Sequence, residues 1–327
     1  MTATCTIGSL EVGAGRPLVL ISGPCVLEQP ATNAQIGTTL RDICAGLGLG
    51  FVFKASFDKA NRSSVRSSRG PRLESGLEEL ARLRELLGVP ITTDVHDPRQ
   101  VDRVAQTVDL IQIPALLCRQ TDLVAACAGS GKPVNVKKGQ FMSPAEMQHV
   151  LLKLRHGGAR QIMFTERGTF FGYHKLVNDF IGLGDLMQLG CPVCFDVTHS
   201  TQLPGAGETS GGRPERAALL ARAAVAAGVH AIFIECHPQP ERALSDGAAY
   251  LKDRLGEAVL VRPFHRSPRG YEDQQHRTSL SRAVPSRTST TRPSTLSARR
   301  GTSAVIQRTG IQPCERIQHI QDVVHDD

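Results

Sequence analysis

Phe51-Val52-Phe53-Lys54-Ala55-Ser56 is a short apolar run that stops on a cation and a hydroxyl. Runs of this length bounded by polar clusters read as strands. Seven more lie on either side of it, at Leu18 to Cys25, Ile91 to His96, Leu110 to Ala115, Val134 to Lys138, Ile162 to Arg167, Val193 to His199 and Ala231 to His237. Stretches with helical spacing fall between them: Thr32 to Leu47, Gly76 to Leu87, Pro98 to Thr107, Thr121 to Gly129, Pro144 to His156, Leu176 to Leu189 and Pro214 to Ala227. Pro98, Pro144 and Pro214 stand near helix starts, where a missing N–H costs little. Strands alternating with helices indicate a parallel sheet, and eight such units predict an α/β fold closed into a (β/α)8, or TIM, barrel. Chemistry in that architecture gathers at the C-terminal strand ends. Here those ends carry Cys25, Lys54, His96, Gln112, Lys137, Arg167, His199 and Glu235, which are expected to share one pocket. Thr6 to Glu11, before a turn at Gly13 to Arg16, is expected to pair with the chain beyond that turn as a small hairpin that closes the barrel floor.

A barrel needs roughly 250 residues, and the alternating pattern occupies about the first 247 of 327. The expected division is a barrel over residues 1–261 and a tail over 262–327. Arg282 to Arg300 is rich in Ser, Thr, Pro and Arg with no apolar period, a composition that predicts disorder. Only Ala248 to Val261 is left to supply the helix after the last strand. Hydrophobic residues make up 40% of the chain but aromatics only 4%, with no Trp, so the core must be aliphatic. The net charge is +7, of which the residues from Ala248 onward carry +5. A nearly neutral barrel with cations at its strand ends suits small anionic substrates better than a nucleic-acid backbone. The first residues lack the basic stretch and apolar core of a signal peptide, so none is expected, no apolar run approaches the length that spans a bilayer, and nine cysteines in a chain this long do not form a compact disulfide framework. A reducing, cytoplasmic setting is expected.

The loop after the quoted strand, Phe57-Asp58-Lys59-Ala60-Asn61-Arg62-Ser63-Ser64, adds cations, an amide and hydroxyls to Lys54. Arg grips a phosphate with two hydrogen bonds while Lys supplies a point charge, so this is a good oxyanion receptor. The ordinary alternative is a solvated polar loop. Taken in order, KANRSS from Lys59, RGP at Arg69 to Pro71, TDVH at Thr93 to His96, IQIPA at Ile111 to Ala115, RQTDL at Arg119 to Leu123, NVKK at Asn135 to Lys138 and FDVTHS at Phe195 to Ser200 resemble the 3-deoxy-D-manno-octulosonate 8-phosphate synthase family. The resemblance runs from about residue 5 to residue 247.

That family condenses phosphoenolpyruvate with arabinose 5-phosphate, releasing phosphate, on the way to the Kdo sugar of lipopolysaccharide. The resemblance implies that Asn61, Arg62 and Ser63, with Lys59 nearby, hold the aldose phosphate. It implies that Lys54, Lys137 and Arg167, with Gln112 and the Ala115 backbone, hold phosphoenolpyruvate. Arg119 would reach the aldose phosphate of a neighbouring subunit in a homotetramer. His96 is a candidate for hydrogen bonding to the aldehyde or the developing alkoxide, its alternative being a structural bond at a strand end. Converging cations must offset the charge of two phosphorylated reactants.

Cys25, His199, Glu235 and Asp246 offer a thiolate, an imidazole and two carboxylates, a set suited to a borderline divalent ion such as Zn²⁺, Fe²⁺ or Mn²⁺. Each has an ordinary explanation when taken singly, since buried Cys and structural His are common. Members of the family divide into metal-dependent forms with Cys at the first strand's end and metal-independent forms with Asn there. Cys25 places this chain with the metal-dependent forms by resemblance. The CxxC of Cys191 to Cys194 has no second pair and is a weak redox or metal signal. Gly205 to Arg213 is expected to be a lid.

The chain departs from the family's pattern at Gly139, where Pro is usual, at Glu166, where Asp is usual, at Arg72, where Gly is usual, and in the tail. Three alternatives stay open: a heptulosonate 7-phosphate synthase using erythrose 4-phosphate, whose family has KPRTS rather than KANRS, a nucleic-acid-binding protein acting through its tail, and a barrel inactivated by its C-terminus.

Overall fold

The computed structural model describes residues 3–61, 68–203 and 211–245. Eight parallel strands close into a barrel: β3 (Val19–Gly23), β4 (Gly50–Lys54), β5 (Ile91–Asp94), β6 (Leu110–Ile113), β7 (Val134–Lys137), β8 (Ile162–Glu166), β9 (Val193–Asp196) and β12 (Ala231–Glu235). The last strand pairs with the first, Ala231 opposite Val19 and Glu235 opposite Gly23, and this pairing completes the ring. Before it comes an antiparallel hairpin of β1 (Cys5–Ile7) and β2 (Leu10–Val12), and β10 (Gln202–Leu203) pairs with β11 (Gly211–Gly212) in a second small antiparallel sheet.

The helices are α1 (Pro30–Leu47), α2 (Leu73–Leu87), α3 (Val101–Thr107), α4 (Thr121–Gly129), α5 (Met147–His156), α6 (Phe180–Gln188), the single turn α7 (Val197–Ser200) and α8 (Ala217–Ala226). In α2, Leu77, Leu80, Leu83 and Leu87 recur every three or four residues and are all buried, giving one apolar face toward the sheet. Gly88, at φ 63°, ends that helix because glycine adopts the left-handed conformation without a Cβ clash.

Strand alternation sorts the side chains into two layers. Phe51, Phe53, Val134, Val136, Ile162, Phe164, Val193, Phe195, Ile232 and Ile234 pack outward in the main core with the helices. The alternate residues Val19, Ile21, Val52, Leu110, Met163, Cys194, Ala231 and Phe233 point inward, where Cys5, Ile7 and Val12 of the hairpin pack against them and seal the floor.

Several boundaries differ from the sequence reading. The hairpin turns at Gly8, φ 57°, rather than at Gly13 to Arg16. Pro98 and Pro214 open 3-10 turns that lead into α3 and α8, and Pro144 lies three residues ahead of α5. The strand expected over Val193 to His199 stops at Asp196, because the Asp196 side chain accepts the His199 N–H at 2.9 Å and turns the backbone into α7. His199 therefore stands on a helical turn. The expected closing helix, Ala248 to Val261, and the 262–327 tail lie outside the described residues, as do Arg62, Ser63, Asp246 and most of the expected lid.

Candidate active site

One step above the sealed floor, the inward rows turn to charged residues. Lys54 follows Val52 on β4, Lys137 follows Asn135 on β7, Asp196 follows Cys194 on β9 and Glu235 follows Phe233 on β12, all of them buried. Lys54 Nζ donates to Glu235 Oε1 at 2.9 Å and to the Cys25 carbonyl at 3.0 Å. Lys137 Nζ donates to Asp196 Oδ2 at 2.6 Å and lies 3.5 Å from the centre of the Phe233 ring. His199 Nδ1 meets the same Asp196 oxygen at 2.7 Å, while its Nε2 faces Glu235 Oε2 at 3.7 Å. An unbroken chain of contacts thus joins Cys25, Lys54, Glu235, His199, Asp196 and Lys137.

Burial alone would raise the two carboxyls, yet both are held well below the usual carboxylate range. For Asp196 the cause is the charge of His199 and Lys137, and for Glu235 that of Lys54 and His199. Burial pushes the Lys137 ammonium below its ordinary value, against the opposing pull of Asp196. The Phe233 face beneath it recovers part of the lost hydration through cation–π attraction.

Across the mouth, Asp94 at the end of β5 accepts from Ser56 Oγ and pairs with His96 Nε2 at 2.9 Å. Burial would raise Asp94, but the hydrogen bond and charge of His96, with Lys59 and Lys54, hold it well below its ordinary value. His96 Nδ1 and Gln112 Oε1 are buried and have no partner among the described residues. Arg167 donates to Gln202 Oε1 at 2.7 Å, and its backbone N–H is held by Glu166 Oε1 at 2.9 Å. Ala115 begins a 3-10 turn after β6. The loop of Lys59 and Asn61 is pinned at its base, where Lys59 N donates to the Arg69 carbonyl at 2.8 Å and Arg69 pairs with Asp58. Asn61 is exposed there. Arg119 is exposed and stands apart from this network, its carbonyl accepting from Lys153 on α5 at 3.2 Å.

Of the four expected metal ligands, three are described. They do not close into a three-ligand cluster among the described residues. Cys25 Sγ instead lies 3.1 Å from Ser245 Oγ, and Leu244 N donates to Glu28 Oε1 at 2.9 Å, which brings the chain to the mouth one residue before Asp246. Glu235 Oε2 is buried without a hydrogen-bond partner among the described residues. An unsatisfied buried carboxylate oxygen facing an imidazole nitrogen is costly without a cation, so this donor set fits a divalent ion.

A family model described as the DAHP synthetase I family matches residues 4–259. A 2-dehydro-3-deoxyphosphooctonate aldolase of Desulfotalea psychrophila is 53% identical over 237 residues, 72% of this chain and 85% of the relative. The chain belongs to the DAHP synthetase I family, among the 2-dehydro-3-deoxyphosphooctonate aldolases. The relative so named from Desulfatibacillum aliphaticivorans is 50% identical over 262 residues, 80% of this chain and 96% of its own. That from Geobacter sp. is 50% identical over 248 residues, 76% and 91%.

Within this member of the aldolase family, sequence reasoning missed Asp94, Asp196 and Phe233. Asp94 and Asp196 sit inside TDVH and FDVTHS, and Asp196 stands two residues after the inward Cys194. The alternation of β9 was the signal that could have found it. The two cysteines of the CxxC spacing, Cys191 and Cys194, are buried and not joined in a disulfide, and burial pushes the Cys194 thiol far up.

Proposed function

We infer that the chain joins phosphoenolpyruvate to arabinose 5-phosphate with water, giving 3-deoxy-D-manno-octulosonate 8-phosphate and phosphate in Kdo biosynthesis. The observation that carries this reading is Lys54 and Lys137 buried side by side over Phe233 at the mouth of the barrel, in a chain about half identical to its named relatives. A new carbon–carbon bond forms between carbon three of phosphoenolpyruvate and the aldehyde carbon. The oxygen of water ends on carbon two as phosphate leaves.

Lys54, Lys137, Arg167, Gln112 and the Ala115 backbone receive phosphoenolpyruvate. Each lysine is already matched with a carboxylate, so the substrate enters a site whose charges are preorganised. Asn61, Arg62, Ser63 and Lys59 take the aldose phosphate, and His96, oriented through Nε2 by Asp94, presents its Nδ1 lone pair to a hydroxyl of the aldose. Most of the acceleration comes from alignment, which can supply about 7–11 kcal/mol. Cys25, His199, Glu235 and Asp246 would hold a divalent ion, which when bound supplies Lewis-acid polarisation of a water or of the aldose. The eight buried cysteines among the described residues, none of them joined in a disulfide, support a reducing cytoplasm. Phe171 at 97% and Tyr173 at 95% exposure support a homo-oligomer, a tetramer by resemblance. No helix among the described residues is long and apolar enough to cross a membrane.

A phosphate-release assay with both aldoses tests the reaction: turnover is expected with arabinose 5-phosphate, and turnover with erythrose 4-phosphate alone would transfer the chain to the heptulosonate reaction. Excess chelator is expected to abolish turnover and added divalent ion to restore it. Full activity in chelator, with no metal by elemental analysis, rejects the ion.

A further inference from the structure

Asp196 belongs to neither substrate list nor ligand list, yet it touches one member of each. Its Oδ2 receives both Lys137 Nζ at 2.6 Å and His199 Nδ1 at 2.7 Å, and its Oδ1 accepts the His199 backbone N–H at 2.9 Å. The carboxylate is fully buried at the end of β9. A carboxylate can only accept, so Nδ1 donates to Asp196, and Nε2, which faces Glu235 at 3.7 Å, is the nitrogen left for a cation to take in place of a proton. The same oxygen fixes the ammonium of Lys137 above Phe233.

We propose that Asp196 is a positioning residue that couples the two halves of the active site, setting the ring of His199 for a divalent cation and the ammonium of Lys137 for phosphoenolpyruvate. This rests on the metal reading given above. A carboxylate behind a ligating imidazole fixes its tautomer and orientation, and losing such a partner weakens cation affinity about 10–100-fold. Because one oxygen serves both groups, its loss is felt in both places at once.

The full-length Asp196→Asn protein separates this from a purely structural role. Asn caps a helical turn as well as Asp does, so the bond to the His199 N–H survives while the charge is lost. Titration with Co²⁺, followed by visible absorbance, is expected to show affinity about 10–100-fold weaker than wild type. At saturating Co²⁺ the KM for phosphoenolpyruvate is expected to rise about tenfold or more, with the KM for arabinose 5-phosphate unchanged, since charge-assisted bonds are the strong ones. Asp196→Glu, which keeps the charge but displaces it, is expected to lose less Co²⁺ affinity than Asn, and it carries the test if the Asn protein does not fold. Co²⁺ affinity equal to wild type in whichever variant folds overturns the coupling, as does an unchanged phosphoenolpyruvate KM. A wild-type chain that takes up no Co²⁺ overturns the metal reading and the coupling with it.

Discussion

At the scale of single residues, two positions show how closely the backbone is held around the mouth. Arg72 adopts φ 74° and ψ −178° just before α2. That region is essentially restricted to glycine, and an L side chain held there costs about 1–3 kcal/mol. The bond from Arg72 N to the Phe57 carbonyl, 3.0 Å, helps to hold it in place. Arg72→Gly is therefore expected to raise stability by about 1 kcal/mol, and a denaturant midpoint at or below wild type would contradict it. Gly23 is the opposite case. A Cβ at this position would lie 2.2 Å from the Lys54 carbonyl oxygen, so β3 could not keep its distance from β4. Gly23→Ala is expected to cost about 1–3 kcal/mol in stability and to lower turnover by displacing Lys54, measured by urea unfolding and phosphate release.

At the scale of elements, the eight strands were legible because each is apolar and ends on polar residues, and α4 matches its expected span of Thr121 to Gly129. Strand ends were less legible wherever a side chain overrides the apolar pattern. Asp196 stops β9 with a cap, which apolarity alone does not announce. The turn after β7, which contains Gly139, is held from beneath by the buried Lys138, whose Nζ reaches the Met142 carbonyl at 3.0 Å and Thr169 Oγ1 at 3.2 Å. The start of β12 carries a further cost that the pattern does not announce. His230 is buried, with Nδ1 accepting from Val193 N at 2.9 Å, and burial pushes its pKa below 6.5. The unfolded chain then takes up a proton that the folded chain refuses. Stability is complete above pH 6.5 and falls as the pH drops from there toward the folded value, by at most about 1.4 kcal/mol per pH unit. Denaturant midpoints at about pH 7.5 and 5.5, on either side of the ordinary imidazole value, are expected to differ less in His230→Gln than in wild type, and an identical difference would refute the assignment.

At the scale of the whole molecule, the inward rows of the barrel have two jobs in one stack. Ile7 and Val12 seal the bottom, Phe233 fills the middle, and the paired lysines and carboxylates occupy the top. Ile7→Ala, made at a fully buried position, is expected to cost about 2–5 kcal/mol. A loss under about 0.5 kcal/mol, the range of ordinary surface changes, would mean that the hairpin does not seal the barrel. The gathering of charge at one mouth was legible from the strand ends, whereas its division into pairs was not, because partners such as Lys137 and Asp196 are 59 residues apart. Phe233 belongs to both jobs, lying among the floor residues and under both ammonium groups. Heat tolerance and turnover are therefore not expected to be tuned separately at that position: a smaller ring substitute would loosen the plug and unseat the two buried ammonium groups in the same stroke, so a screen for either trait alone would return the aromatic.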